Sequence, residues 1–268
     1  MRNVTLADGT VIRPLESHDE RVDAVRLQEE TWGVGFSERI PAAMLLVAEK
    51  TGGVAAGAFT PDGTLLGIIF GLTGVRDGTL VHWSDLLAVR SHAQGRGLGV
   101  ALKEYQRNRC RALGVDRMYW TFDPFVARNA HLNLNVLGAR VAEFVPDMYG
   151  TDTNSPIHGA LGTDRLVAVW PVRDEPVPLP ADASRLSDAV VVADASGSHR
   201  ASGTGRVVIR VPHDYATLLA GDLSVARRWR AAARAAFTHL LDTGFTVTAF
   251  VPGTGGADAS YLLEQAAP

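Results

Sequence analysis

Three glycines at alternate positions stand in Gln94-Gly95-Arg96-Gly97-Leu98-Gly99. The preceding Leu80 to Val89 is mostly apolar, with Val81, Trp83 and Val89 as good strand formers. After the turn the apolar residues fall at 98, 101/102, 105 and 112/113, one face of an amphipathic helix. A glycine-rich turn lets backbone amides approach a ligand closely, and a helix starting there offers unpaired N–H groups and a positive dipole end. The chemistry expected is the binding of an anion, a pyrophosphate above all, by Gly95, Arg96 and the amides up to Val100. The spacing is neither G-x-G-x-x-G nor the Walker pattern, since no Gly-Lys-Ser/Thr follows.

Asp85 is the one carboxylate on the strand before this turn. Set among apolar neighbours, it is expected to have a raised pKa and to accept a proton near neutrality. A structural partnership with an amide or arginine is the alternative reading. His82 and His131 are further candidate bases. Trp32 and Phe36 lie in the stretch after the first helix, and Trp83 and Trp120 on strands; together they suit an apolar acceptor side chain. Arg128, Asn154 and His131 are candidate donors to a carboxylate. Asn129 and Asn133 stand four apart in an apparent helix, on one face. Arg227, Arg228, Arg230 and Arg234 read as the solvated face of a late helix. No His/Cys grouping calls for a metal.

The elements that must position these residues follow in order. Val11 to Leu15 reads as a strand, and Ser17-His-Asp-Glu20 opens a helix with a capping box that Gly33-Val-Gly35 ends. A second helix begins near Pro41, its apolar residues Ala43, Met44, Leu46 and Val47. Val54 to Thr60 and Leu65 to Thr73 form a hairpin about Pro61-Asp62-Gly63. The strand at 80–89, the glycine turn, a helix to Leu113, and a strand Arg117 to Phe122 come next. Arg128 to Val136 reads as a helix stopped by Gly138, before strands Ala139 to Phe144 and Arg165 to Pro171.

The motif Gln94-x-x-Gly97-x-Gly99 after Leu86-Leu87-Ala88-Val89, in this element order, resembles the GNAT superfamily of acyl-CoA-dependent N-acyltransferases. The resemblance covers residues 1–171. It implies an α/β fold with a mixed sheet flanked by helices, and acetyl-CoA or succinyl-CoA as acyl donor. Leu87, Ala88 and Val89 would run along the pantetheine; Gln94, Gly95, Arg96, Gly97, Leu98, Gly99 and Val100 would hold the pyrophosphate. Asn129 and Asn133 would meet the pantetheine amides. The tyrosine that many members carry four residues before the glycine here at 138 is Leu134, and the aromatic after it is Ala139. Tyr149 is then the candidate general acid, with Asp85 as base. The Asp147-Met-Tyr-Gly150 and Asp164-Arg-Leu-Val stretches resemble a bacterial subfamily with a C-terminal extension. Its relatives acylate free amino acids, in some cases with succinyl. The implied function is acyl transfer to the amine of a small molecule; a non-catalytic acyl-CoA-binding protein is the alternative.

Beyond residue 171 the composition changes. Four prolines between 171 and 180 and an Ala/Asp/Ser/Gly-rich run read as a linker or arm over 172–205, with a short strand at Val190 to Val192. Residues 206–268 are expected to form a β-α-β extension, with strands Arg206 to Val211 and Phe245 to Val251 around the helix from Leu223. This unit is small for its own core and should pack on the first domain or on a second copy of the chain.

The 268 residues are 46% hydrophobic and 21% charged with net charge −3. That is an ordinary globular balance without the basic surplus of a nucleic-acid binder. The single cysteine, Cys110, excludes an intramolecular disulfide. With no apolar run of spanning length and no signal-like N-terminal core, a cytoplasmic location is expected.

Overall fold

The computed structural model describes residues 3–150, 161–198 and 205–265. They fall into two compact units: residues 3–120 with Trp170–Glu175, and residues 121–150, 161–169 and 176–265. The fold is α/β, a mixed sheet flanked by helices, with a further C-terminal sheet. No helix among the described residues is long and apolar enough to cross a membrane.

In the first unit the strands β1 (Val4–Thr5), β2 (Val11–Pro14), β3 (Val54–Phe59), β4 (Leu65–Arg76), β5 (Thr79–Val89) and β6 (Arg117–Phe122) neighbour one another in sequence order. Neighbours from β1 to β5 are antiparallel, whereas β5 and β6 are parallel. Helices α1 (His18–Trp32) and α2 (Ala42–Lys50) lie between β2 and β3 in the chain, and α3 (Leu98–Ala112) joins β5 to β6. One face of the sheet packs Ile68, Phe70, Leu86 and Ala88 against Ala24 and Leu27 of α1 and Leu45 and Ala48 of α2. The other packs Ile69, Leu87 and Val89 against Leu98, Leu102 and Tyr105 of α3.

The capping box at Ser17 forms as expected, the Ser17 hydroxyl accepting from the Glu20 amide. The apolar residues named on α2 from sequence are not the ones it buries. Leu45 and Ala48 are buried while Met44, Leu46 and Val47 are exposed. The seven consecutive apolar residues from Ala42 to Ala48 carry little directional signal, so packing decides the face.

In the second unit, β7 (Arg140–Val145) pairs antiparallel with β8 (Arg165–Pro171). A second sheet runs in the order β10-β9-β11-β13-β12, formed by β9 (Val190–Asp194), β10 (Gly197–Ser198), β11 (Arg206–Val211), β12 (Phe245–Val251) and β13 (Ala259–Gln265). It therefore holds more than a β-α-β unit: β9 runs parallel to β11 from within the proline-flanked stretch, and β13 joins β11 to β12. Val190 to Val192 does form a strand. Helix α6 (Leu223–Asp242) buries Trp229, Ala233, Phe237 and Leu240 on one face. A short α5 (Tyr215–Gly221) precedes it. The segment after β6 is α4 (Ala127–Ala130) followed by a π-helical turn, His131–Val136, where a continuous α-helix is expected from sequence. The Asn135 side-chain amide donates to the carbonyls of Leu179, Pro180 and Phe250, at 2.9, 3.2 and 3.1 Å.

Candidate active site

The site is built around the middle of β5, where two irregularities coincide. Against β4, Phe70 pairs with Leu86 but Leu72 pairs with Trp83, so β5 holds one residue more than its partner and bulges at Ser84–Asp85. Against β6, pairing runs through Val81–Arg117, His82–Met118 and Trp83–Tyr119 and goes no further. The parallel strands thus part where the bulge sits, and β5 leaves the fork with backbone groups that β6 does not use.

The bulge also switches the faces of the strand. Before it, His82 and Ser84 point at α3, bonding Gln106 and Lys103. After it, Leu87 and Val89 pack on the α3 side, while Leu86 and Ala88 join the α1–α2 core. Gly71 on β4 makes room for this. A Cβ there would collide with the His82 ring, the Trp83 carbonyl and the Gln106 amide.

Asp85 retains exposed surface, yet the protein around it withdraws water and raises its carboxyl above the ordinary range; Glu38 adds to the shift. Glu38 lies in the connection between α1 and α2, so that loop brings a second negative charge toward the bulge. Gln28, fully buried on α1, fixes the end of the loop: its Oε1 accepts from the Ile40 amide at 2.7 Å and its Nε2 donates to the Ile40 carbonyl at 3.1 Å. Trp32, the last residue of α1, stacks on Phe36 of this loop with centroids 5.6 Å apart. Trp83 is half-buried on β5. Two carboxylates beside aromatic surface suit a cationic group with an apolar body.

His82 is excluded as a base. It is fully buried. The Thr73 hydroxyl donates to the Gly52 carbonyl and accepts from His82 Nδ1 at 3.0 Å, while the Gln106 amide donates to Nε2 at 3.0 Å. Burial, with Lys103 nearby, lowers its pKa to about 4, so it stays neutral and both ring nitrogens are occupied.

The C-terminal end of β5 leads into the glycine turn. Gly97 is the N-cap of α3 in the left-handed region (φ 75°) and gives no side-chain cap. The amides of the first turn of this 15-residue helix therefore face outward without a side-chain acceptor. Among the described residues, and leaving aside adjacent chain and the helix's own backbone, no heavy atom lies within 4 Å of where a Cβ would stand at Gly95 or Gly97, and at Gly99 the Leu87 side chain alone does, at 3.8 Å. Open space before uncapped amides fits a phosphate. Gln94 turns back instead, donating to the Val89 carbonyl at 2.9 Å, and so fixes the turn on the strand. Arg96 lies within electrostatic range of Asp8.

Trp120 is buried rather than lining an open pocket, edge-on to Trp170 at 5.9 Å. It covers Lys103, which sequence reasoning missed, as it missed Ser84, Glu38 and Gln28. The available signal was a lysine and a glutamine at 103 and 106 on the buried face of an amphipathic helix. Among the second unit's candidates, Tyr149 shares a hydrogen bond with the Thr121 hydroxyl at 3.0 Å, and the Arg165 guanidinium lies 5.6 Å from its ring centre. Asn133 is buried in the π-helical turn and Asn129 is half-buried. Arg128 and His131 are exposed, His131 Nδ1 lying 3.0 Å from Asn135 Oδ1. Asn154 lies outside the described residues. The solvated reading of the late arginines holds for Arg227 and Arg228. It fails for Arg230, which is buried and bonds Asp123 at 2.9 Å, and for Arg234, which bridges Asp147 and Asp164 at 2.9 and 2.6 Å.

No family model and no curated protein sequence matches the chain. Among solved structures it is similar to a phosphinothricin acetyltransferase of the GNAT superfamily from Sinorhizobium meliloti in complex with acetyl-CoA, at 16% identity and TM-score 0.48, over 60% of this chain and 88% of that one. It is similar also to a putative acetyltransferase from Salmonella typhimurium with acetyl-CoA, at 17% identity and TM-score 0.48, over 65% and 98%. A third is the ribosomal-protein-S18-alanine N-acetyltransferase from Escherichia coli, at 19% identity and TM-score 0.45, over 61% and 94%. By its own element order, forked parallel strands and glycine turn, the chain has the GNAT-type fold.

Proposed function

We propose that the protein transfers an acyl group from acyl-CoA to the amine of a small molecule, an amino acid being the preferred acceptor. One observation carries this reading: the β5 bulge, the parting of β5 from β6 and the uncapped glycine turn follow one another along a single strand-turn-helix. The turn amides would hold the pyrophosphate, with Arg96 as an added cation. The unpaired edge of β5 over Leu87, Ala88 and Val89 would take the pantetheine amides. An amide at the bulge would polarise the thioester carbonyl. Acyl-CoA supplies the activated acyl group and a thiolate leaving group.

The acceptor amine arrives as an ammonium, which the Asp85 and Glu38 carboxylates attract. A carboxylate with a raised pKa takes the proton that the attacking amine must lose, directly or through one water. Trp32 and Trp83, both half-buried, offer apolar surface to its side chain, while Phe36 is buried and stacks on Trp32.

The test is a panel of free amino acids assayed for thiol release with acetyl-CoA and succinyl-CoA, beside calorimetry with CoA and with NAD. CoA binding with turnover on an amino acid is expected. Turnover only on a protein or aminoglycoside amine would overturn the acceptor. CoA binding without turnover on any amine would favour the non-catalytic reading, to which Leu134 in the tyrosine position points.

A further inference from the structure

Lys103 stands on α3 four residues after Gly99 and is 3% exposed. Its Nζ donates to the Ser84 hydroxyl at 2.8 Å and lies 3.9 Å from the centre of the Trp120 ring. An ammonium has three N–H donors, and among the described residues Ser84 Oγ is the acceptor it finds. No carboxylate among them lies within ion-pairing distance. The neighbouring His82 is neutral, and Arg107, one turn further along α3, is spent on Glu104 and the Asp174 carbonyl. Buried charges are ordinarily paired, because an unpaired one forfeits its hydration. Desolvation accordingly pulls the Lys103 ammonium down to about 7.

The position of this unpaired amine is specific. Ser84 follows Trp83, and Trp120 follows Tyr119, and these are the last residues through which β5 and β6 pair. Lys103 therefore sits at the vertex of the fork, on the α3 side of the sheet. Asp85, the next residue of β5, lies within electrostatic range of Glu38 on the α1–α2 connection. The vertex thus carries both signs of charge: the Asp85 and Glu38 carboxylates, toward which the amine is proposed to enter, and the Lys103 cation on the α3 side.

We infer that Lys103, held by Ser84 and Trp120, selects an acyl group that itself ends in a carboxylate. The inference rests on the acyl-CoA reading above and assigns the acyl end of that same site. A terminal carboxylate would accept the N–H donors that Ser84 leaves unused and restore the charged state that burial opposes. Arg128 and His131, the cations read from sequence for this role, are solvent-exposed in the second unit.

The test is calorimetric titration of the full chain with CoA, acetyl-CoA, butyryl-CoA and succinyl-CoA, which needs no acceptor. Butyryl is the neutral counterpart of succinyl in length. Succinyl-CoA is expected to bind roughly tenfold or more tightly than butyryl-CoA, as a charge-assisted hydrogen bond would give. In Lys103→Met that preference should vanish while CoA affinity stays within about threefold of the wild type. Should Lys103→Met fail to fold, the wild-type comparison still decides, and Ser84→Ala should reduce the preference in a chain that keeps its lysine. Tight CoA binding without preference for succinyl-CoA would overturn this assignment alone and leave Lys103 a structural cation. Absence of binding by every thioester and by CoA would overturn the acyl-CoA reading and this inference with it.

Discussion

Asp85 was recognisable in sequence as a lone carboxylate on an apolar strand, but its role depends on a β-bulge that no residue type announces. Without the extra residue, Asp85 would alternate with Ser84 and Leu86 in the ordinary way; with it, Asp85 stands at the parting of two strands. Asp85→Asn keeps the shape and removes the proposed proton acceptor. Turnover should fall roughly a hundredfold, as is usual for loss of a general base, with CoA affinity nearly unchanged. The wild-type rate should fall as pH drops through a pKa above the ordinary carboxylate range, and Asp85→Asn should lack that limb. A variant with near-normal turnover and lost stability would show Asp85 to be structural. The neighbouring His82 and Lys103 make a second residue-scale prediction. Burial lowers His82 from 6.5 to about 4 and Lys103 from 10.5 to about 7. Within each window the unfolded chain binds more protons than the folded one, so stability rises with pH from about 4 to 6.5 and again from about 7 to 10.5. For a fully buried lysine the second rise amounts to a few kcal/mol. Urea unfolding at pH 7 and pH 9.5 measures it; an undiminished rise in Lys103→Met would refute the assignment.

At the scale of elements, the glycine turn was legible because its pattern is local: Gly97 takes a left-handed conformation and starts a helix, as spacing suggests. The structure separates two needs that the sequence presents as one. Gly97 at φ 75° needs glycine for its backbone, whereas Gly99 has no positive φ and would tolerate a Cβ at ordinary contact with Leu87. Gly97→Val should therefore lose about 1–2 kcal/mol of stability together with CoA binding. Gly99→Val should stay within about 1 kcal/mol of the wild type and lose CoA binding alone, since only a close ligand requires that position bare. Denaturant unfolding beside calorimetry separates them, and undiminished CoA affinity in Gly99→Val would sink the cradle. What the sequence withheld at this scale is tertiary in origin. Lys103 and Gln106 interrupt the apolar face of α3, a pattern that reads as noise until Ser84, Trp120 and His82 are seen opposite. The π-helical turn at His131–Val136 likewise hides in a periodicity that fits an α-helix nearly as well, although Asn135 anchors three carbonyls from it.

At the scale of the whole chain, the proline-rich change of composition after residue 171 marks a real shift in sequence but not the edge of a packed unit. Residues on both sides of it are knitted together in the second unit. Phe144 on β7 stacks on Phe237 of α6 with centroids 5.4 Å apart, and the Tyr261 hydroxyl donates to the Pro124 carbonyl at 2.8 Å. Arg230 is buried, which works against its charge, yet Asp123 and Tyr215 hold it charged beyond the ordinary guanidinium range. Arg165 also faces Asp123, at 3.6 Å, and Arg234 closes the network through Asp164 and Asp147. Such buried pairs add little net stability when complete, but removing one side leaves an uncompensated charge at a cost of about 3–5 kcal/mol. Truncation after Pro171 does this to Asp164, which loses both Arg230 and Arg234, leaves Asp123 only the more distant Arg165, and strips the apolar cover from Phe125 and Phe144. A fragment of residues 1–171 should therefore be recovered as aggregate or as a species that binds an apolar dye, even though it contains every element of the GNAT-type order. Recovery of that fragment as a soluble monomer with full acyltransferase turnover would refute the prediction and make residues 172–268 a dispensable appendage.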